Sequence, residues 1–167
     1  MELSAGSVSA YLRLAFDQVT AVADRLGDEL VVARPVESSA GGQATNSVAA
    51  LVVHSCAVTE WWLGHVALGR PSNRDREAEF RATATVEELR VLVAATLRQA
   101  EADLVEMAGR STKGDGDEAD AGEAAPGAAA HPVERYRSDA SVVLHVIEEL
   151  YQHLGQMEIT ADVLLAR

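Results

Sequence analysis

The chain carries the stretch SDASVVLHVIEELYQHLGQMEITADVLL at residues 138–165, and this stretch decides the fold class. Its apolar residues recur every three or four positions, which is the period of an α-helix that buries one face. They are Val143, Ile147, Leu150, Leu154, Met157, Ala161 and Leu164. The spacing predicts one long amphipathic helix from about Ser138 to Leu165.

Three earlier segments show the same period, and none shows the alternation typical of a strand. They run from about Ser7 to Leu26, from Asn46 to Leu68 and from Thr85 to Gly109. The first stripe comprises Val8, Leu12, Ala15, Val19, Val22 and Leu26, the second Leu51, His54, Val58, Trp61 and His65, and the third Leu89, Val93, Thr96, Ala100, Leu104 and Met107. The sequence therefore predicts four helices and no sheet.

Residues with known preferences for helix ends mark several boundaries. Gly27 is a plausible C-cap of the first helix, and Gly69 closes the second. Asn46 is a good N-cap for the second helix. Thr85 and Glu88 form a capping box at the start of the third helix, in which each side chain bonds a free amide of the other residue.

The connections between the helices are long. They comprise residues 28–45, 69–84 and 110–137, and the last is rich in Gly, Ala, Asp and Glu, so we expect an acidic, flexible loop. The size favours a single domain over residues 1–167. We predict an all-α, four-helix bundle of antiparallel type, in which the long connections also allow the two middle helices to run parallel.

Charge and cysteine usage exclude several classes of function. The formal net charge is −12 at pH 7, which disfavours binding to nucleic acids and anionic membranes. Cys56 is the only cysteine, so no internal disulfide can form. Neither a signal peptide nor a membrane-spanning segment is visible. We expect a soluble, cytoplasmic protein that acts on small molecules.

The strongest chemical signal is the pair Glu149 and His153 in the last helix. Residues four apart lie on one face of a helix, where a carboxylate and an imidazole can bind the same metal ion. His54 projects from the apolar stripe of the second helix, and three such ligands from facing helices leave a tetrahedral ion with one open position. The pattern alone leaves a second reading open, in which Glu149 and His153 are a surface pair and His54 is a hydrogen-bonded core residue.

Two of these helical stretches resemble motifs of the DinB-like superfamily. They are NSVAALVVH at residues 46–54 and HVIEELYQHLGQ at residues 145–156. The chain most resembles the metal-binding N-terminal domain of mycothiol-dependent maleylpyruvate isomerases and related thiol S-transferases. The charged run from Arg74 to Phe80 is similar to that group as well, and the resemblance extends over nearly the whole chain.

The resemblance implies a DinB-like bundle with a metal centre at His54, Glu149 and His153, holding zinc or alternatively nickel. It further implies a thiol cosubstrate, with mycothiol as the expected one, that attacks a small electrophile. Apart from the resemblance, we add a homodimer as a hypothesis. A cation that coordinates a thiol favours the nucleophilic thiolate, although it could also activate a bound water for hydrolysis. The alternative function is a non-catalytic module for stress or detoxification that binds a metal or a small ligand.

Several other side chains could contribute to this site. His145 is an alternative ligand but fits a core role better, and Gln156 could contact His153 or line the pocket. Arg74 and Arg76 could bind a carboxylate, although pairing with acidic residues of their own run is the favoured interpretation. Cys56 points to a different helical face from His54, so we expect a packing residue and not a nucleophile.

Overall fold

The structure is all-helical, as predicted. The computed structural model describes residues 4–35, 45–111, 136 and 138–167, and these residues form helices and no strand. The helices are α1 (Ala5–Val31), α2 (Val48–Glu60), its π-helical continuation (Trp61–Ala67), the short α3 (Arg76–Glu79), α4 (Val86–Ser111) and α5 (Asp139–Leu165). The four long helices confirm the predicted bundle, and α3 is an addition within the connection predicted at residues 69–84.

Contacts between helices show how the four long helices are ordered and directed. Helices α1 and α2 each pack against both α4 and α5. Between α1 and α4, Asp28 contacts Val86 and Ser9 contacts Glu101. On the side of α4, Glu60 of α2 contacts Thr96, and Arg70, just after the π-helical continuation, contacts Asp103. On the side of α5, His54 contacts His153, and Trp62 of the continuation contacts His145. Hence α4 is antiparallel to α1, α5 is antiparallel to α2, and the two middle helices α2 and α4 run parallel.

Two helix ends differ from the prediction. Ser47, not Asn46, caps α2, since its side chain accepts from the amide of Ala50. At Gly27, where the sequence predicts the helix end, the backbone does leave the helical conformation with φ 66° and ψ 177°, but a further helical segment continues to Val31 beyond this break. Glycine reaches this left-handed conformation without a steric penalty, so the break can bend the helix without terminating it.

Other boundaries are as expected from local chemistry. Gly69 has φ 71° directly after the second helix. Thr85 and Glu88 form the predicted capping box, because the Thr85 amide donates to the Glu88 carboxylate and the Glu88 amide to the Thr85 hydroxyl. A second capping box, which the sequence analysis did not identify, joins Ser138 and Ser141 at the start of α5.

The core is built from small and branched side chains. The predicted stripes face the interior, and Phe16, Leu51, Leu89, Leu150 and Met157 are among the largest side chains that are fully buried. Among the described residues, no helix is both long enough and apolar enough to cross a bilayer. The predicted acidic loop lies outside the described residues, except for Arg110 and Ser111 in α4 and for Tyr136.

Candidate functional site

Three candidate ligands lie together where the middle of α2 packs against the middle of α5. They are His54 of α2 and Glu149 and His153 of α5. One possible ligand atom from each residue lies within 4.8 Å of the other two. His54 is buried, and the side chains of His153 and Glu149 are 19% and 24% exposed. The antiparallel packing of α2 against α5 is what joins the helical pair to His54. That these residues bind a metal ion stays a prediction.

The ring of His54 is held on several sides. Its Nδ1 lies 2.6 Å from Oε2 of Glu79, the last residue of α3. The Phe80 ring packs at 4.5 Å between centroids, and the His153 ring meets His54 edge-on at 4.8 Å. Because Nδ1 is engaged with Glu79, Nε2 is the nitrogen of His54 that is left for a ligand.

Glu79 is itself a buried carboxylate, with 6% of its surface exposed. Arg74 donates to both of its oxygens, from Nε at 2.6 Å and from Nη2 at 2.9 Å. Burial by itself would raise the pKa of Glu79, but the hydrogen bonds from His54 and Arg74 together hold that pKa below its usual range. Glu79 therefore stays ionised at neutral pH beside a candidate ligand.

This contact of Glu79 with His54 is not predicted by the sequence. The run from Arg74 to Phe80 predicts a charged connection in which arginines pair with acidic neighbours, and the pairing of Arg74 with Glu79 agrees with that interpretation. Arg76 instead lies over the Phe80 ring, 5.6 Å from its centroid. The aromatic Phe80 at the end of a charged run was the available signal that this end turns into the protein.

The two ligand candidates on α5 also contact each other and a third residue. His153 Nε2 lies 3.4 Å from Oε2 of Glu149, and His153 Nδ1 lies 3.3 Å from Oε1 of Gln156. A hydrogen bond from His153 holds the pKa of Glu149 below its usual range, and it outweighs the opposing effect of burial. Gln156 thus occupies the position beside His153 that was one of its two predicted roles.

His145 lies next to the cluster but not within it. It is buried, its Nδ1 is 3.1 Å from the Tyr136 hydroxyl, and its ring packs against Trp62 at 4.5 Å. Its Nε2 is 3.7 Å from Oε1 of Glu149. Among the described residues, the ligand cluster contains three side chains and does not include His145. This is the core position, in contact with a ligand candidate, that the sequence analysis favoured.

Cys56 does not belong to the candidate metal cluster. The residue is buried, and burial raises the pKa of its thiol to about 12, although a hydrogen bond with Thr96 opposes this shift and Glu60 adds to it. A thiol with this pKa is protonated at neutral pH and is a poor nucleophile. The packing role expected for Cys56 agrees with these observations.

A cavity of about 730 Å³ opens between α2, α4 and residues 70–79. Trp61, Arg70 and Gln99 are among its lining residues, and Arg74 and Glu79 form its wall on the side of His54. None of the three ligand candidates lines it. The cavity therefore reaches the pair of Arg74 and Glu79 that contacts His54, but not the three ligand candidates themselves.

The donor set of the cluster has a clear chemical character. Two imidazoles and one carboxylate suit a borderline divalent ion such as zinc, and three protein ligands leave a coordination position open. No curated protein was found to match this chain. A family model described as mycothiol-S-transferase matches residues 7–164, which is nearly the full length. The chain therefore belongs to the mycothiol-S-transferase family, within the DinB-like superfamily that its helical motifs predict.

Proposed function

We propose that this protein is a metal-dependent S-transferase that uses mycothiol to modify a small electrophile. The observation that carries the proposal is the convergence of His54, Glu149 and His153 in the interior of a chain of this family. His54, Glu149 and His153 would hold the ion, with zinc as the first expectation and nickel as the second.

The surroundings of the three side chains fit a cation. Glu79 faces Nδ1 of His54 and Gln156 faces Nδ1 of His153, so a ring with its proton on Nδ1 would present the lone pair of Nε2 to a cation. At His153 the cation would take the place of the proton that Nε2 shares with Glu149. Together with the ionised Glu149, these nitrogens form a group of acceptors at short range. A partly buried group of acceptors of this kind is stabilised by a positive charge placed among them.

A bound divalent ion would stabilise the thiolate form of a coordinated thiol at neutral pH. In the overall reaction the thiol sulfur forms a bond to an electrophilic carbon, while that carbon releases its leaving group with the bonding electrons and the thiol proton goes to solvent. The residues of the chain orient the site. His54 is fixed by Glu79 and by the Phe80 ring, and its burial limits the access of water to one side.

Cosubstrate and compartment follow from the same proposal. Both reactants are small molecules, which agrees with a net charge of −12 that repels nucleic acids. We place the protein in the cytoplasm, where low-molecular-weight thiols are kept reduced. Homodimerisation stays a prediction that sedimentation or light scattering would test.

The test combines metal analysis with turnover. Purified wild type should carry about one equivalent of zinc or nickel, and His153→Ala should lose most of it because a ligand is missing. His65→Ala is the matched control, since it removes a histidine outside the cluster and should keep the metal. Turnover of a bimane or haloaromatic electrophile should require both the metal and mycothiol.

Each outcome has a definite meaning. A rate that survives chelation, or metal content unchanged in His153→Ala, would contradict the proposal. Retention of the metal without turnover for any thiol would support the non-catalytic binding module instead. Cys56→Ala should keep its activity, because the attacking sulfur belongs to the cosubstrate; a rate lost with Cys56 would point to a protein nucleophile.

A further inference from the structure

The contact between Glu79 and His54 joins the candidate metal cluster to a distant part of the chain. Glu79 reaches His54 from α3, 25 residues further along the sequence, and its Oε2 lies 2.6 Å from Nδ1. Both side chains are buried, with 6% and 3% of their surfaces exposed. A polar contact this short and this well shielded from water restricts both partners strongly.

The contact with Glu79 determines which ring nitrogen of His54 carries the proton. A neutral imidazole carries one N–H, and an ionised carboxylate can only accept hydrogen bonds. Arg74 donates to both oxygens of Glu79, at 2.6 and 2.9 Å, which keeps that group a carboxylate. Nη2 of Arg74 also lies near Nδ1, but at 3.5 Å it is much farther away than Oε2 of Glu79 at 2.6 Å. The shorter contact needs a proton between nitrogen and carboxylate, so a neutral His54 carries its single proton on Nδ1 and presents the lone pair of Nε2.

The bundle contains a second arginine–carboxylate pair, which already attaches the connection at residues 69–84 to the helices. Attachment of that connection therefore does not by itself explain why the pair of Arg74 and Glu79 lies against His54. Arg70 donates with two nitrogens to the carboxylate of Asp103, which is 2% exposed, and so ties the start of that connection to α4. This pair contacts none of the three ligand candidates. The pair formed by Arg74 and Glu79 differs in that one carboxylate oxygen faces a candidate ligand.

We propose that Glu79 is a positioning residue, which fixes His54 with its proton on Nδ1 and its Nε2 toward Glu149 and His153. Arg74 holds Glu79 in place and balances its charge, so the pair orients the ring without adding net charge to the cluster. This inference rests on the proposed function, because fixing the orientation of the His54 ring matters only if Nε2 binds an ion. Partners of this kind fix the tautomer and raise the basicity of metal-binding histidines.

The first arm of the test needs neither metal nor substrate. In ¹⁵N-labelled, metal-free protein at a pH where the ring is neutral, the His54 shifts should show a protonated Nδ1 and an unprotonated Nε2. Glu79→Ala should lose this preference, whereas Glu79→Gln, which retains an acceptor oxygen in nearly the same volume, should keep part of it. A wild-type ring with its proton on Nε2 would overturn the inference.

The second arm measures the affinity for zinc by competition with a chromophoric chelator. Loss of a partner of this kind typically weakens metal binding about 10- to 100-fold, which is the result expected for Glu79→Ala. Asp103→Asn is the matched control, because it disrupts the other buried pair and should leave the zinc affinity unchanged. Wild-type affinity in folded Glu79→Ala, or equal weakening in both variants, would overturn the positioning role.

The two arms separate this inference from the proposed function. If wild type binds no zinc, the proposed function fails, and the ring-nitrogen shifts still decide whether Glu79 sets the tautomer. If wild type binds zinc, but Glu79→Ala changes neither the ¹⁵N shifts of His54 nor the zinc affinity, the proposed function stands and the positioning role fails. Should Glu79→Ala not fold, the near-isosteric Glu79→Gln gives the same two measurements.

Discussion

Replacement of Gly64 by alanine tests how the second connection is anchored beside the candidate site. A Cβ at Gly64 would lie 2.2 Å from Nη2 of Arg70 and 2.7 Å from its Cζ. The guanidinium must therefore retreat by roughly 1 Å to restore an ordinary contact. We expect that movement to break the hydrogen bonds to Asp103, whose carboxylate is 2% exposed and would then retain only the donor from Gln99.

The size of the effect follows from two opposing contributions. Breaking a fully buried ion pair costs about 3–5 kcal/mol, but Arg70 is 38% exposed, so water screening reduces this to about 2–3 kcal/mol. Alanine in place of glycine within a helix restores about 1 kcal/mol. We expect Gly64→Ala to lower the free energy of unfolding by about 1–2 kcal/mol, or Tm by about 2–8 °C for a chain of this size.

Urea unfolding followed by circular dichroism measures this difference directly. Gly155→Ala is the matched control, because an added Cβ there meets nothing within 4 Å and should stabilise the protein by about 1 kcal/mol. In an Asp103→Asn background the cost of Gly64→Ala should shrink, since both changes act on the same contact. If Gly64→Ala is as stable as wild type, the clash does not displace Arg70 and the reasoning is wrong.

Two further predictions concern α2. Burial raises the pKa of Cys56 to about 12 from 9.0, so the unfolded chain loses this proton at a lower pH than the folded protein does. The free energy of unfolding should therefore fall as the pH rises above about 9, by up to ~1.4 kcal/mol per pH unit. Urea unfolding at several pH values should show this slope in wild type and not in Cys56→Ala. Ser47→Ala removes the buried cap of α2 and should cost about 1 kcal/mol, whereas Ser47→Gly should cost only a few tenths, as measured by chemical unfolding. Equal slopes, or equal costs for the two Ser47 variants, would contradict the respective reasoning.

The candidate cluster shows how far local pattern carries. Glu149 and His153 share a helical face by spacing alone, and the apolar stripe of the second helix places His54 toward the interior. The ligand set itself came from the resemblance of these stretches to a known family, because spacing within one helix says nothing about which other helix it meets. The parallel course of α2 and α4 was likewise only permitted by the long connections.

The sequence by itself determined the four long helices, most of their ends and the faces they bury, because these depend on contacts within about four residues. Even there, the choice between Asn46 and Ser47 as a cap, and the continuation of α1 past Gly27, depended on the path of the surrounding chain. Only the tertiary structure decided that Glu79 meets His54, since that contact spans 25 residues and needs the second connection to fold back against α2. No periodicity predicts where a connection of this length runs, because its course depends on which buried groups it can satisfy.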